Sequence, residues 1–252
     1  MSRLKVIYES LMEIKYSVII PAYNEENWLP QTLTRLKTAM ADSSLAGEII
    51  VVDNNSTDKT ARIAAAHGAR VIFERRNQIS RARNAGAGAA RGKYFIFLDA
   101  DTLLPPVLLK TALKDLASGA CCGGGAWVSA LEPHPAAVRR SIELWNRLSH
   151  AFGWAAGCFI YSLRQGFEAT GGFSEKVYAS EEIWFSRQLR SWGKPRGLTF
   201  RIIKHPPIVT SVRKINGFTL RQAVLFIIIM IFPLALRSRR LCSFWYFRPL
   251  QK

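Results

Sequence analysis

Three short apolar runs, at residues 16–20, 48–52 and 94–98, each give way at the carboxyl end to Tyr, Glu, Asp or Asn, and stretches with helical spacing separate them. Runs this short read as buried strands. Their regular alternation with helices constrains the chain to an α/β fold: a central, mostly parallel sheet with helices on both faces. Leu29, Leu33, Leu36 and Met40 recur at helical spacing, residues 57–67 and 80–90 read as alanine-rich helices, and 70–74 reads as a further strand. Beyond Pro106 the pattern becomes mixed. Helices are expected over 108–116 and 137–152, and the glycine-rich stretch 121–130 can be a strand that admits close ligand approach.

In open α/β sheets ligands gather just beyond the carboxyl ends of the strands, so the polar residues there are the first candidates for chemistry. Asp99-Ala100-Asp101 follows the run 94–98. Two carboxylates one residue apart offer hard oxygen ligands to Mg²⁺ or Mn²⁺, the usual neutralisers of a diphosphate, while the competing reading is a helix cap before Pro105 and Pro106. Asp53, heading Asn54, Asn55 and Ser56, reads either as an Asx turn or as a carboxylate that accepts bonds from a ligand. Arg81 and Arg83 lie two apart on a helix and do not share a face, so only one need bring charge to a base or diphosphate; Arg81 is the candidate. Further on, Gly171-Gly172-Phe173 precedes Glu181 and Glu182 at the start of an amphipathic helix, where both acids also suit the helix N-terminus electrostatically. His205 is a possible imidazole ligand for Mn²⁺, and Arg213 and Lys214 suit a diphosphate or lipid phosphate by charge.

Taken in order, these segments resemble the nucleotide-sugar-binding half of a family 2 glycosyltransferase with the GT-A fold, a Rossmann-like sandwich. The resemblance runs from about Tyr16 to about Trp192. It implies that Pro21, Ala22, Tyr23 and Glu25 form the first nucleotide-contacting loop and that Asp53 recognises the base or ribose. It also implies that Asp99 and Ala100 lie against the ribose or metal shell and that Asp101 ligates the Mn²⁺ or Mg²⁺ cation. Glu182, or Glu181 beside it, would deprotonate the acceptor hydroxyl; the family's usual pair is Glu-Asp, and here the second acid is one methylene longer. His205 would complete the metal shell, as a histidine at similar distance does in some GT-A enzymes. The implied reaction is metal-dependent, inverting transfer of a sugar from a UDP- or GDP-sugar to a glycan, lipid or small-molecule acceptor, in cell-envelope or glycan biosynthesis. Gln188-Leu189-Arg190-Ser191-Trp192 approaches the signature of processive synthases, but its arginine is one place early, so single-sugar transfer is expected.

The net charge of +17 calls for anionic partners. Nucleic acid is not expected, because no helix-turn-helix, finger or RNA-reading aromatic motif accompanies the charge. The four cysteines form neither a zinc pattern nor a disulfide framework and read as reduced thiols. Residues 1–15 form an N-terminal extension without the apolar core of a signal peptide, 16–215 the transferase domain, and 216–252 an apolar and basic tail. Within that tail the apolar stretch 223–236 would span about 21 Å as a helix, short of the roughly 30 Å hydrocarbon core. Its arginine neighbours suit an anionic leaflet, so surface anchoring or a re-entrant hairpin is expected, with a buried terminal helix or an oligomer contact as the competing reading, and the protein is expected peripherally on the cytoplasmic face of the cell membrane. The alternative readings are transfer to a polyprenyl phosphate, which needs no base; a nucleotidyltransferase; and a membrane-bound scaffold with a degenerate sugar-nucleotide site.

Overall fold

The computed structural model describes residues 13–213. The apolar stretch 223–236, Lys214, Cys242 and most of the N-terminal extension lie outside the described residues.

The elements run β1 (Tyr16–Ala22), α1 (Leu29–Ala41), β2 (Gly47–Asp53), α2 (Thr60–Ala66), β3 (Arg70–Phe73), α3 (Ile79–Ala89), β4 (Tyr94–Leu98), β5 (Thr102–Leu103), α4 (Pro106–Ala117), β6 (Cys121–Ala130), α5 (Ala136–Phe152), β7 (Phe159–Leu163), α6 (Arg164–Thr170), α7 (Glu181–Gly193) and β8 (Thr199–Thr210). They build one sheet in the order β3-β2-β1-β4-β7-β6-β8-β5. The first four strands are parallel, β7 runs antiparallel to both β4 and β6, and β8 lies parallel to β6.

The alternation of side chains along β1 explains its continuous apolar sequence. Val18 and Ile20 point to one face, where Leu29, Leu33 and Leu36 of α1 and Leu108, Leu109 and Leu113 of α4 cover them. Ile19 points to the other, under Ala82 of α3 and beside Phe97, Phe185 and Leu189. A strand buried on both faces has no room for polar alternation. All seven residues of β1 are buried, whereas the ends of the edge strand β3, Arg70 and Phe73, are exposed.

β1 and β2 extend further than their apolar runs. Pro21 pairs with Val52 and Ala22 with Asp53, so Pro21, Ala22 and Asp53 are strand residues at the sheet's rim. The expectation of a ligand beside the glycines of β6 is corrected. A Cβ at Gly124 would meet the Arg201 carbonyl at 1.8 Å and the Tyr161 hydroxyl at 2.6 Å, and one at Gly125 would meet the Ala155 Cβ at 2.7 Å. These glycines let neighbouring strands and a returning loop close on one another.

Candidate functional site

The loops after β1, β2 and β3 are stitched into one rim. Asn24, at φ 52°, accepts a bond from the Thr57 amide at 2.8 Å, and its own amide donates to Ser56 Oγ at 3.0 Å. The Glu25 amide donates to Thr60 Oγ1 at 2.8 Å. Asn54 donates to the carbonyls of Glu74 and Arg76 and accepts from the Gln78 amide, and the Gln78 side chain reaches across to the carbonyls of Glu175 and Val177. Asp53 is buried and its Oδ1 accepts the Ser56 amide at 2.9 Å, so the Asx turn exists and leaves the carboxylate at the rim. Tyr23 stands half-buried at the same edge.

Asp99 and Asp101 leave the end of β4 in different directions because each is claimed by a different arginine. Between them, the buried Ala100 anchors the turn by accepting Thr32 Oγ1 of α1 at 2.8 Å. Asp99 Oδ1 accepts Arg83 Nη2 at 3.1 Å; Arg83 also donates to Glu181 Oε1 at 2.6 Å and to the Gly157 carbonyl at 2.8 Å. The Arg83 side chain is 1% exposed and lies 5.1 Å over the ring of Phe173, part of an aromatic cluster with Phe97, Phe167 and Phe185. Burial opposes its charge, but Asp99, Glu181 and Glu182 outweigh that and hold its pKa above the usual arginine value.

Asp101 Oδ2 instead accepts Arg213 Nη2 at 2.8 Å, and the same nitrogen donates to Glu25 Oε2 at 2.5 Å. Arg213 lies 5.0 Å over the Trp28 ring. It arrives there because β8 leads into it: Thr210 pairs with Thr102, the Ser211 amide donates to the Asp101 carbonyl at 3.1 Å, and Glu132 holds Ser211 and Val212.

The acidic pair is positioned from α3. Asn84, next to Arg83, clamps the backbone of Phe173 through both its amide nitrogen and its oxygen, each at 2.9 Å. Gly171 and Gly172, at φ 76° and 70°, make the turn that this clamp requires. Glu181 then enters the Arg83 cluster, and Glu182 stands half-buried beside it, against Gly157. Burial, with Glu181 and then Asp99 adding repulsion and Arg83 offsetting part of it, pushes the Glu182 carboxyl up to about 8.

The structure thus brings Pro21, Ala22, Tyr23, Glu25, Asp53, Asp99, Ala100, Asp101, Glu181 and Glu182 to one end of the sheet. Two expected residues stand outside the cluster of Asp99, Asp101, Glu181 and Glu182. Arg81 pairs with Glu74, whose amide donates to the Asp53 carbonyl, at 3.4 Å, and with Glu175; the guanidinium in the cluster is that of Arg83. His205 is exposed, packs on the Trp127 ring and lines a groove with His150 and Gly153. It lies five residues before Thr210, the partner of Thr102, a separation of about 16 Å along a strand. Arg213, not His205, comes from β8 to Asp101. Sequence reasoning weighs Arg83 only beside Arg81 and expects Arg213 at a phosphate by charge alone; the ion pairs they make with Asp99, Glu181, Asp101 and Glu25 come from the fold.

Among the described residues no group of three or more His, Cys, Asp or Glu side chains is arranged to hold a metal. Mg²⁺ and similar cations in nucleotide sites are held through one or two carboxylates together with phosphates and water. Asp101 fits that mode, as a single protein ligand to a cation whose other oxygens come from a diphosphate.

A family model described as glycosyl transferase family 2 matches residues 17–165. An uncharacterised glycosyltransferase of Mycobacterium tuberculosis is 36% identical over 104 residues, which cover 41% of this chain and 44% of that protein. The undecaprenyl-phosphate 4-deoxy-4-formamido-L-arabinose transferase of Pseudomonas aeruginosa is 36% identical over 110 residues, 41% of this chain and 32% of that protein. In both cases the match spans less than half of the relative. Among solved structures, the mannosyltransferase PcManGT of Pyrobaculum calidifontis, in complex with GDP-Man and Mn²⁺, shares the fold with a TM-score of 0.64 at 22% identity, over 92% of this chain and 68% of that one.

Proposed function

The chain belongs to glycosyl transferase family 2, and from that premise we propose that it transfers a single sugar from a UDP- or GDP-sugar, with Asp101 holding Mn²⁺ or Mg²⁺ against the diphosphate. The observation that carries this reading is the convergence of Asp53, Asp99 and Asp101 at the strand ends, facing the acidic start of α7. In this reading Tyr23, Glu25 and Asp53 contact the nucleotide, and Asp99 lies toward the ribose. The cation, when bound, neutralises charge that develops on the departing diphosphate. Arg213 adds a permanent positive charge beside Asp101 for the same purpose. Displacement is in line, with inversion at the anomeric carbon.

Glu182 faces the acceptor. A hydroxyl acceptor requires its ionised form as general base, and with the carboxyl near pH 8 the transfer rate rises with pH through that value. A second reading, a polyprenyl-phosphate acceptor, is favoured by the same observation: near pH 7 Glu182 is mostly protonated and can donate a hydrogen bond to an acceptor oxygen that is already anionic. The likeness to the P. aeruginosa transferase supports this reading. Glu182→Gln separates the two. Transfer to a hydroxyl falls by about 10²–10⁴-fold, whereas transfer to a lipid phosphate persists.

The donor reading is tested by thermal shift with UDP, GDP and their sugars, with and without Mn²⁺, on wild type and Asp101→Asn. A ligand at 100 times its dissociation constant adds about 2.7 kcal/mol of stability. Metal-dependent stabilisation by one nucleotide, lost in the variant, is expected; no shift with any nucleotide would return the protein to the scaffold reading.

A further inference from the structure

The helix α5 carries a second apolar stripe on its outer face. Its two buried residues are polar: Asn146 exchanges hydrogen bonds with the amide and carbonyl of Val128 at 2.8 and 2.9 Å, and Ser149 Oγ donates to the Trp154 carbonyl at 2.6 Å. Val138, Ile142 and Trp145 are half-buried on the inner side, while Leu144 at 58%, Leu148 at 36% and Phe152 at 50% exposure face outward. Their spacing of four places them in one stripe, which Ala137, Ser141 and Ala151 complete. Phe152 continues into Trp154, with ring centroids 4.7 Å apart and stacked. α4 shows the ordinary arrangement: Leu108, Leu109, Leu113 and Leu116 are all buried.

Along one side of the stripe stand the exposed Arg140 and Arg147, with Arg139 beyond them paired only loosely to Glu143 at 3.9 Å. A helix with an apolar face flanked by arginines suits the headgroup boundary of an anionic bilayer. The net charge of +17 complements such a surface. At 17 residues the helix is about 26 Å long, enough to lie in the plane of a leaflet. No helix among the described residues is long and apolar enough to cross a membrane.

We infer that the Leu144–Leu148–Phe152 face of α5, with Arg140 and Arg147, docks the protein on an anionic lipid bilayer. The position of α5 gives the contact a use. Its last residue is Phe152, and five residues on, Gly157 gives its carbonyl to Arg83 and lies against Glu182. A bilayer under α5 therefore borders the side of the site that Glu182 faces, where a lipid-borne acceptor can enter. That consequence rests on the transferase reading; the docking itself does not.

The test is co-sedimentation of the full chain with phosphatidylglycerol-containing or pure phosphatidylcholine vesicles, without donor or acceptor, so that failure of the transferase reading leaves the result untouched. The wild type is expected to favour the anionic vesicles. Combined Leu144→Gln, Leu148→Gln and Phe152→Gln is expected to lower partitioning by on the order of tenfold or more, with an unchanged melting transition because these side chains are exposed. Arg140→Gln with Arg147→Gln is expected to lose about 5-fold per arginine on anionic vesicles only, an effect that added salt erases. Unchanged vesicle binding of the triple variant would overturn the inference and assign binding to another part of the chain. A wild-type dimer that the triple variant dissociates, with vesicle binding unaltered, would overturn it in favour of a second copy.

Discussion

Two arginines divide the acids of the Asp99-Ala100-Asp101 segment, and they do so in unlike surroundings. Arg83 is enclosed, stacked on Phe173 and shared among Asp99, Glu181 and the Gly157 carbonyl. Arg213 keeps 22% of its side chain exposed and reaches Asp101 and Glu25 from the end of β8. The inner cluster joins the nucleotide side of the sheet to the acidic pair on α7, so it sets geometry. In the proposed reaction the outer cluster handles the cation and the diphosphate, and so sets charge. On that reading one acid of the motif is structural first and the other chemical first.

The largest expected effect follows from this division. Arg83→Met leaves Asp99 and Glu181 without their shared cation, and removing one member of a buried pair costs about 3–5 kcal/mol. Urea unfolding checks it, and a loss below about 1 kcal/mol would mean that the inner cluster is not structural. Asp101→Asn keeps an oxygen that can accept from Arg213, so it is expected to cost no more than about 2 kcal/mol on unfolding, while transfer with saturating Mn²⁺ falls by about 10²–10³-fold, the usual loss when charge stabilisation of a leaving group is removed. Steady-state rates on purified protein would show it, and an active Asp101→Asn enzyme would dissolve the contrast.

A third test uses pH. The Glu182 carboxyl rises from an ordinary 4.5 to about 8 in the folded protein, so between those values the folded state holds a proton that the unfolded chain has released. Stability from this group is full below about pH 4.5 and is lost as pH rises through 8. Melting temperatures of wild type and Glu182→Gln should diverge in the variant's favour from pH 5 to pH 9; parallel curves would place Glu182 in water. The smallest expected effect is that of Arg213→Gln on unfolding, no more than about 2 kcal/mol because the pair is partly solvated. The same variant should bind Mn²⁺ more tightly in the absence of nucleotide, by electron paramagnetic resonance, because Asp101 no longer shares its oxygen with a guanidinium. Equal affinity would show that arginine and cation do not meet.

Much of the parallel half of the sheet was legible in the sequence because its information is local. A strand buried on both faces must be apolar throughout, as β1 and β4 are, and the residue after it must be where the chain turns polar, as Asp99 is. The half beyond Pro106 was read less well. β7 and α6 are not among the expected elements, although Phe159-Ile160-Tyr161 is a short apolar run like that of β4; what the run alone does not give is its antiparallel place between β4 and β6. The glycines of β6 looked like an opening for a ligand and are instead filled by Tyr161, Arg201 and Ala155. His205 looked like a ligand by its distance along the chain, but the pairing of Thr102 with Thr210 holds it far from Asp101.

The sequence by itself determined that the chain makes a mostly parallel sheet with helices on both faces and that acids gather at the strand ends, because both follow from the period of burial along a few residues. Only the tertiary structure decided which charges meet. Arg83 and Arg81 are the same residue two places apart, and Arg213 is 112 residues from Asp101. A charge acquires a partner through the packing of distant elements, and it is burial that turns such a pairing from a solvated surface contact into one that orders a site.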